Sequence, residues 1–145
     1  MPNHFHLIVS SSRVDLCKGK NNPITKFMHK VSTSYVMYFN KKYKRTGSLF
    51  EGKFKSQHVG EENYFNYLFA YIHLNPIKLI QKDWKEIGIT DKEKAIDYIK
   101  KYKYSSFIDF FDTYRIESKI ISKNSLPEYI KFEHVNNLFK WIKSA

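Results

Sequence analysis

Met1-Pro2-Asn3-His4-Phe5-His6-Leu7-Ile8-Val9 opens the chain, and its reading decides the expected fold. Two histidines flank one apolar residue at the head of an aliphatic run, which is the pattern of a β-strand. Alternate side chains of a strand share a face, so His4 and His6 would point together while Phe5 enters a core. Two imidazoles converging from a rigid element supply half of a divalent-metal site. A half-exposed strand edge gives the same pattern with no metal, so the pair gains weight only from residues downstream.

At 145 residues the chain suits one domain with a core of ordinary size. No apolar run approaches the roughly 18 residues that span a bilayer, and no charged n-region precedes a cleavable apolar stretch. Cys17 is the only cysteine, which excludes an internal disulfide or a cysteine-rich zinc site. The expectation is a cytoplasmic protein with no membrane partner.

Net charge is +11, and it is unevenly spread. Residues 1–12 carry no charged side chain, residues 13–58 hold eleven bases against two acids, and residues 59–145 hold fourteen against twelve. A basic zone interleaved with aromatics suits nucleic acid, with cations for phosphates and flat rings for unstacked bases. A solvated lysine-rich face is the bland alternative; it accounts less well for the local shortage of acids.

Ser10 to Asn22 reads as a loop. Asn22 is then a helix cap with Pro23 at the first helical position. Ile24, Phe27, Met28, Val31, Tyr35, Tyr38 and Phe39 recur at three- and four-residue steps, predicting an amphipathic helix to about Lys42 whose stripe is core. Lys44-Arg45-Thr46-Gly47 is a basic turn. Leu49 to Val59 reads as extended, with Lys53 and Lys55 on one face and Gly52 a candidate bulge. Glu61 and Glu62 open a second helix that runs to Asn75, where Pro76 discourages further α geometry. Lys78 to Ile89 reads as irregular, and Thr90-Asp91-Lys92-Glu93 as a capping box before another helix. Tyr104 to Tyr114 is an aromatic patch. Val135, Leu138, Phe139 and Ile142 mark a terminal helix.

On the second helix, Phe65, Leu68, Phe69 and Ile72 form the expected buried face. Tyr67, Tyr71 and Asn75 form a neighbouring ridge at four-residue steps. By geometry alone Tyr71 is a boundary tyrosine and Asn75 a helix end. His29, His58, His73 and His134 are expected in surface or helix roles, and Cys17 as an inert thiol.

Five ordered blocks change that balance. Met1-Pro2-Asn3-His4-Phe5-His6-Leu7 resembles the HUH motif of single-tyrosine transposases, in particular the REP-associated tyrosine transposases. Tyr38-Phe39-Asn40-Lys41-Lys42-Tyr43, Gly47-Ser48-Leu49-Phe50-Glu51-Gly52-Lys53-Phe54-Lys55 and Tyr71-Ile72-His73-Leu74-Asn75-Pro76 are further matches. Tyr104-Ser105-Ser106-Phe107 resembles the family's Trp-Ser-Ser-Tyr patch.

The resemblance implies an α/β (α+β) fold, an antiparallel sheet packed by helices of the ferredoxin-like HUH type. It implies a single transposase-like domain over 1–145, with a catalytic part at 1–76 and a helical part at 77–145. By the same resemblance His4, His6 and Asn75 are metal ligands, Tyr71 is the nucleophile, and the cofactor is Mg²⁺ or Mn²⁺. The substrate is single-stranded DNA with hairpin ends, cut through a 5′-phosphotyrosine link by a homodimer in the nucleoid of a prokaryotic cell. Lys41, Lys42, Lys44, Arg45, Lys53 and Lys55 would grip phosphates. The chemistry is coherent. A cation offsets phosphodiester charge, a phenol of pKa about 10 needs positive surroundings to attack at neutral pH, and two imidazoles with an amide oxygen suit Mn²⁺ better than Mg²⁺.

This sequence departs from the family in opening at the His-x-His block, where relatives carry preceding strands and a helix. The expectation is that part of the family domain is missing, which exposes a sheet edge. Glu51 stands where many relatives have Gln. Two alternatives remain open: a DNA-binding remnant without catalysis, and an HUH replication initiator or relaxase.

Overall fold

The computed structural model describes residues 4–11, 22–111, 114–127, 130 and 135–142. Cys17 and His134, and the three residues ahead of His4, lie outside them. The chain divides into two compact units, one of residues 1–8 with 59–145 and the other of residues 9–58.

The smaller unit is organised by α1 (Pro23–Tyr43). Asn22 caps it, its side-chain oxygen accepting from the backbone of Ile24 at 2.8 Å and Thr25 at 3.3 Å, and Pro23 occupies the first turn. Here a bonded side chain satisfies amides that an α-helix leaves open. The helix stops at Lys44, which adopts φ +50°. The Asn40 amide donates to the Gly47 carbonyl at 2.9 Å and ties down the basic turn, in which Gly47 has φ +86°. Only Met28 of the predicted apolar stripe is buried; Phe27, Val31, Tyr35 and Tyr38 are exposed.

In the larger unit, α2 (Glu62–Leu74) runs into a 3-10 turn, Asn75–Leu79. Pro76 has no amide hydrogen for another α bond and fits the tighter geometry at its start. A short α3 (Trp84–Ile87), α4 (Lys92–Lys101) and α5 (Val135–Trp141) follow, with 3-10 segments at Ser106–Phe110, Ile116–Ile120 and Lys123–Ser125 between the last two. α5 packs on α2, while α4 packs on both the Asn75–Leu79 and Ser106–Phe110 turns. Phe69, Leu74, Ile77, Trp84, Ile99, Phe107 and Leu138 form the centre of the core.

Two internal polar groups shape this core. His73 is 3% exposed. The Phe69 carbonyl can only accept, so His73 Nδ1 donates to it at 2.7 Å, and Nε2 accepts from the Ser106 hydroxyl at 3.0 Å. Burial pushes its pKa down to about 4. Asp109 accepts from Nε and Nη2 of Arg115 and from Ser118 Oγ at 2.6 Å. Those donors hold its carboxyl below the usual range despite burial.

The expected α/β (α+β) fold is corrected: no strand exists among the described residues, so there is no antiparallel sheet and no ferredoxin-like HUH layer. Residues 4–11 form neither helix nor strand, and Phe5, expected in a core, is 51% exposed. Alternation identifies a strand only where a neighbour supplies hydrogen bonds, and none of the described segments pairs with this one. Residues 49–59 likewise enter no ladder. The buried face of α2 is also turned from the expected one. Asn66, Phe69, Ala70, His73 and Leu74 are inside, whereas Phe65, Leu68 and Ile72 are half-buried. His73, expected in a surface or helix role, is a core residue of that helix.

Candidate active site

Tyr71 projects from the last turn of α2, half-buried, with its ring 6.1 Å from that of Tyr67 one turn earlier. The ring of His6 lies 5.9 Å from that of Tyr71, edge to face. His4 stands 5.1 Å from His6, nearly perpendicular to it. His6 therefore meets the phenol, with His4 next to His6, although the segment carrying the histidines is not a strand.

Burial, then the neighbouring charges of His4 and Lys85, lower the pKa of His6. These effects favour the neutral imidazole, the form that binds a metal ion. An imidazole nitrogen sits about 2.1 Å from a divalent ion, so two rings sharing one ion at 90–110° have centroids about 4.5–5.3 Å apart. The His4–His6 separation falls in that range. Asn75 lies one turn beyond Tyr71, and its backbone amide donates to the Tyr71 carbonyl. It is 2% exposed, and neither atom of its side-chain amide has a hydrogen-bond partner among the described residues. A buried amide left unmade costs about 1–3 kcal/mol per group, and a cation on Oδ1 would relieve part of that. No group of three His, Cys, Asp or Glu that could hold a metal occurs among the described residues. Of the three expected ligands, His4 and His6 lie side by side on the exposed segment, and an imidazole pair suits a cation of the Mn²⁺ type, while the Asn75 amide is buried one turn beyond Tyr71.

The sequence reading missed Lys85. Its ammonium donates to the Tyr71 oxygen at 2.9 Å and lies 4.3 Å from the centroid of the Tyr71 ring. No helical period links positions 71 and 85. The 3-10 turn at Asn75–Leu79 ends α2, and α3 carries the lysine. Tyr67, Tyr71, Trp84 and Lys85 also border a cavity of about 380 Å³.

The predicted phosphate-gripping residues belong to the smaller unit. Lys41, Lys42, Lys44 and Arg45 are exposed at the end of α1, and Lys53 and Lys55 are exposed in the segment after the turn. Lys42 Nζ lies 5.6 Å from the ring centroids of both Tyr38 and Tyr43, and the Arg45 guanidinium 5.6 Å from that of Phe39. A hydrogen bond with Tyr38 raises the Lys42 pKa. Cations laid over exposed rings are the surface chemistry that single strands use. His29 and His58 are exposed, as expected.

Comparison of the chain with protein-family models, curated proteins and solved structures finds no match. Among the described residues no helix is long and apolar enough to cross a membrane.

Proposed function

We propose that the chain cuts and rejoins single-stranded DNA with Tyr71 as nucleophile, in the manner of the single-tyrosine transposases its motifs resemble. The observation that carries the reading is the contact of His6, with His4 beside it, and Tyr71 from distant parts of the sequence.

The phenol of Tyr71 gives its proton to water as its oxygen attacks phosphorus, the bond from phosphorus to the 3′ oxygen breaks, and that oxygen takes a proton from water and leaves as a hydroxyl. The 5′ phosphate stays on Tyr71 as a phosphodiester, whose bond is kept for rejoining rather than lost to water. Lys85 donates to the attacking oxygen and offsets its negative charge as the phenol ionises. Mg²⁺ or Mn²⁺ held by His4, His6 and Asn75 would polarise the phosphate and offset its charge. The basic and aromatic end of α1, with Lys53 and Lys55, binds the strand and its hairpin. Two copies supply two tyrosines for reactions at two ends, in the cytoplasm of a prokaryotic cell. Incubation with hairpin-bearing single-stranded DNA and Mn²⁺ tests the reading. A covalent adduct that Tyr71→Phe abolishes supports it, and an adduct that survives Tyr71→Phe overturns it.

A second reading, DNA binding without turnover, is favoured by the exposure of residues 4–9. A histidine segment not fixed by a sheet would hold a metal ion less firmly. Hairpin binding unchanged by EDTA, with no cleaved product, distinguishes it from the first.

A further inference from the structure

We propose that the cavity beside Tyr71 is a nucleotide subsite, which seats one nucleotide next to the phosphate that Tyr71 attacks; this rests on the cleavage reading above. Tyr67 and Tyr71 give the cavity half-buried rings, the buried Trp84 and Phe139 back it from the core, Ile87, Ile89 and Ile142 add apolar surface, and Lys85 and Lys92 are its charged residues. Among the described residues no carboxylate borders it. The rings of Tyr67 and Tyr71 beside two lysines suit a ligand that is itself flat and anionic, as a nucleotide is. Its volume of about 380 Å³ lies at the small end of the ligand-pocket range of about 300–1,000 Å³.

One wall is held in place before any ligand arrives. The Gln81 amide donates to the Gly88 carbonyl at 2.7 Å and accepts from the backbone and hydroxyl of Thr90, both at 3.2 Å. Gly88 adopts φ +82°, and no atom lies within 4 Å of where its side chain would begin. Bare backbone therefore faces open space at that point. Asp91 caps α4 by accepting from the Lys94 amide at 2.9 Å, which fixes the start of the helix that carries Lys92.

The two lysines have separate tasks. Lys85 is engaged with the Tyr71 oxygen. Lys92 Nζ lies 5.8 Å from the Phe139 ring centroid at another part of the wall, where it meets the phosphate or sugar oxygens of the seated nucleotide. Because Tyr71 forms part of the same wall, that nucleotide is contiguous with the scissile phosphate.

The test uses the full chain and single-stranded oligonucleotides carrying 5-iodouracil at successive positions, since that base crosslinks under light to an aromatic ring stacked on it. The expected result is a crosslink at Tyr67 or Tyr71 from one position only, adjacent to the cut. Its yield should fall about ten-fold in Lys92→Glu and less in Lys92→Ala. Crosslinks confined to Tyr35, Phe39, Tyr43 or Phe50, or a cavity crosslink indifferent to both Lys92 variants, would overturn the subsite. An adduct at Tyr71 without a cavity crosslink rejects the subsite and leaves the cleavage reading standing. A cavity crosslink that depends on Lys92, with no adduct, rejects the cleavage reading and with it the subsite's place beside a cut, leaving only a nucleotide-binding cavity.

Discussion

Lys85 and Tyr71 meet through two contacts of one ammonium group, 2.9 Å from the phenol oxygen and 4.3 Å from the ring centroid. The first orients a proton toward the oxygen that would attack phosphorus. The second holds the lysine over the ring, so both partners are fixed relative to each other. A phosphodiester repels an anionic nucleophile, and a cation at the nucleophile itself is the shortest route to offsetting that repulsion.

Replacing Lys85 should therefore act on chemistry rather than on binding. Lys85→Met is expected to slow single-turnover cleavage of hairpin DNA roughly 10²-fold, the scale of losing one charge-stabilising donor, with little change in Kd. Lys85→Arg should recover part of the rate, because it keeps a donor and a charge. Quench-flow cleavage and a binding titration on the same variants separate the two quantities. Equal losses in rate and affinity would make Lys85 a strand contact instead.

On the proposed reading, Asn75 trades stability against metal binding. Both atoms of its amide are buried without partners among the described residues, so Asn75→Leu, close in volume, is expected to raise stability by about 1 kcal/mol without metal. The same variant should bind Mn²⁺ more weakly, and His4→Ala and His6→Ala should each cost at least about ten-fold in affinity. Urea unfolding and calorimetric titration measure the two effects. An Asn75→Leu chain that is less stable and binds Mn²⁺ unchanged would remove Asn75 from the donor set.

His73 makes stability depend on pH. An ordinary histidine in the unfolded chain titrates at 6.5, whereas the buried imidazole does so only at about 4. Between those values the unfolded chain takes up a proton that the folded one refuses, so stability is lost as pH falls from 6.5 toward 4. The shift corresponds to roughly 3 kcal/mol from this one group. Unfolding free energies measured across that window should fall steeply in the wild type. The fall should be much shallower in His73→Gln, which does not titrate there.

What was legible in the sequence is local. Asn22 with Pro23 announced the start of α1, the acids at 61–62 announced α2, and Asp91 lies in the capping pattern that opens α4. Each signal works through atoms within a turn of one another. Even there the outcome moved by one residue: Asp91 is the cap, while Thr90 binds Gln81. The strand at His4–Val9 was not decidable locally, because a β pattern needs a partner elsewhere in the chain. The phase of α2 was misjudged for a related reason. The helix packs against α5 and leads directly into the 3-10 turn that packs on α4, so its buried surface is broader than one stripe and includes Asn66 and His73. Among the site residues, Tyr71, His4 and His6 were reached by resemblance, and the structure sets His6 against Tyr71 with His4 next to His6. Lys85 carried no signal in spacing, since its position depends on how the chain turns after Asn75.

The most direct measurement of the central claim is mass spectrometry of the chain after incubation with hairpin-bearing single-stranded DNA and Mn²⁺. The account predicts a peptide carrying a 5′-linked nucleotide on Tyr71, absent with EDTA and absent in Tyr71→Phe. DNA that is bound but never linked, or a nucleotide found on any other residue, would contradict it.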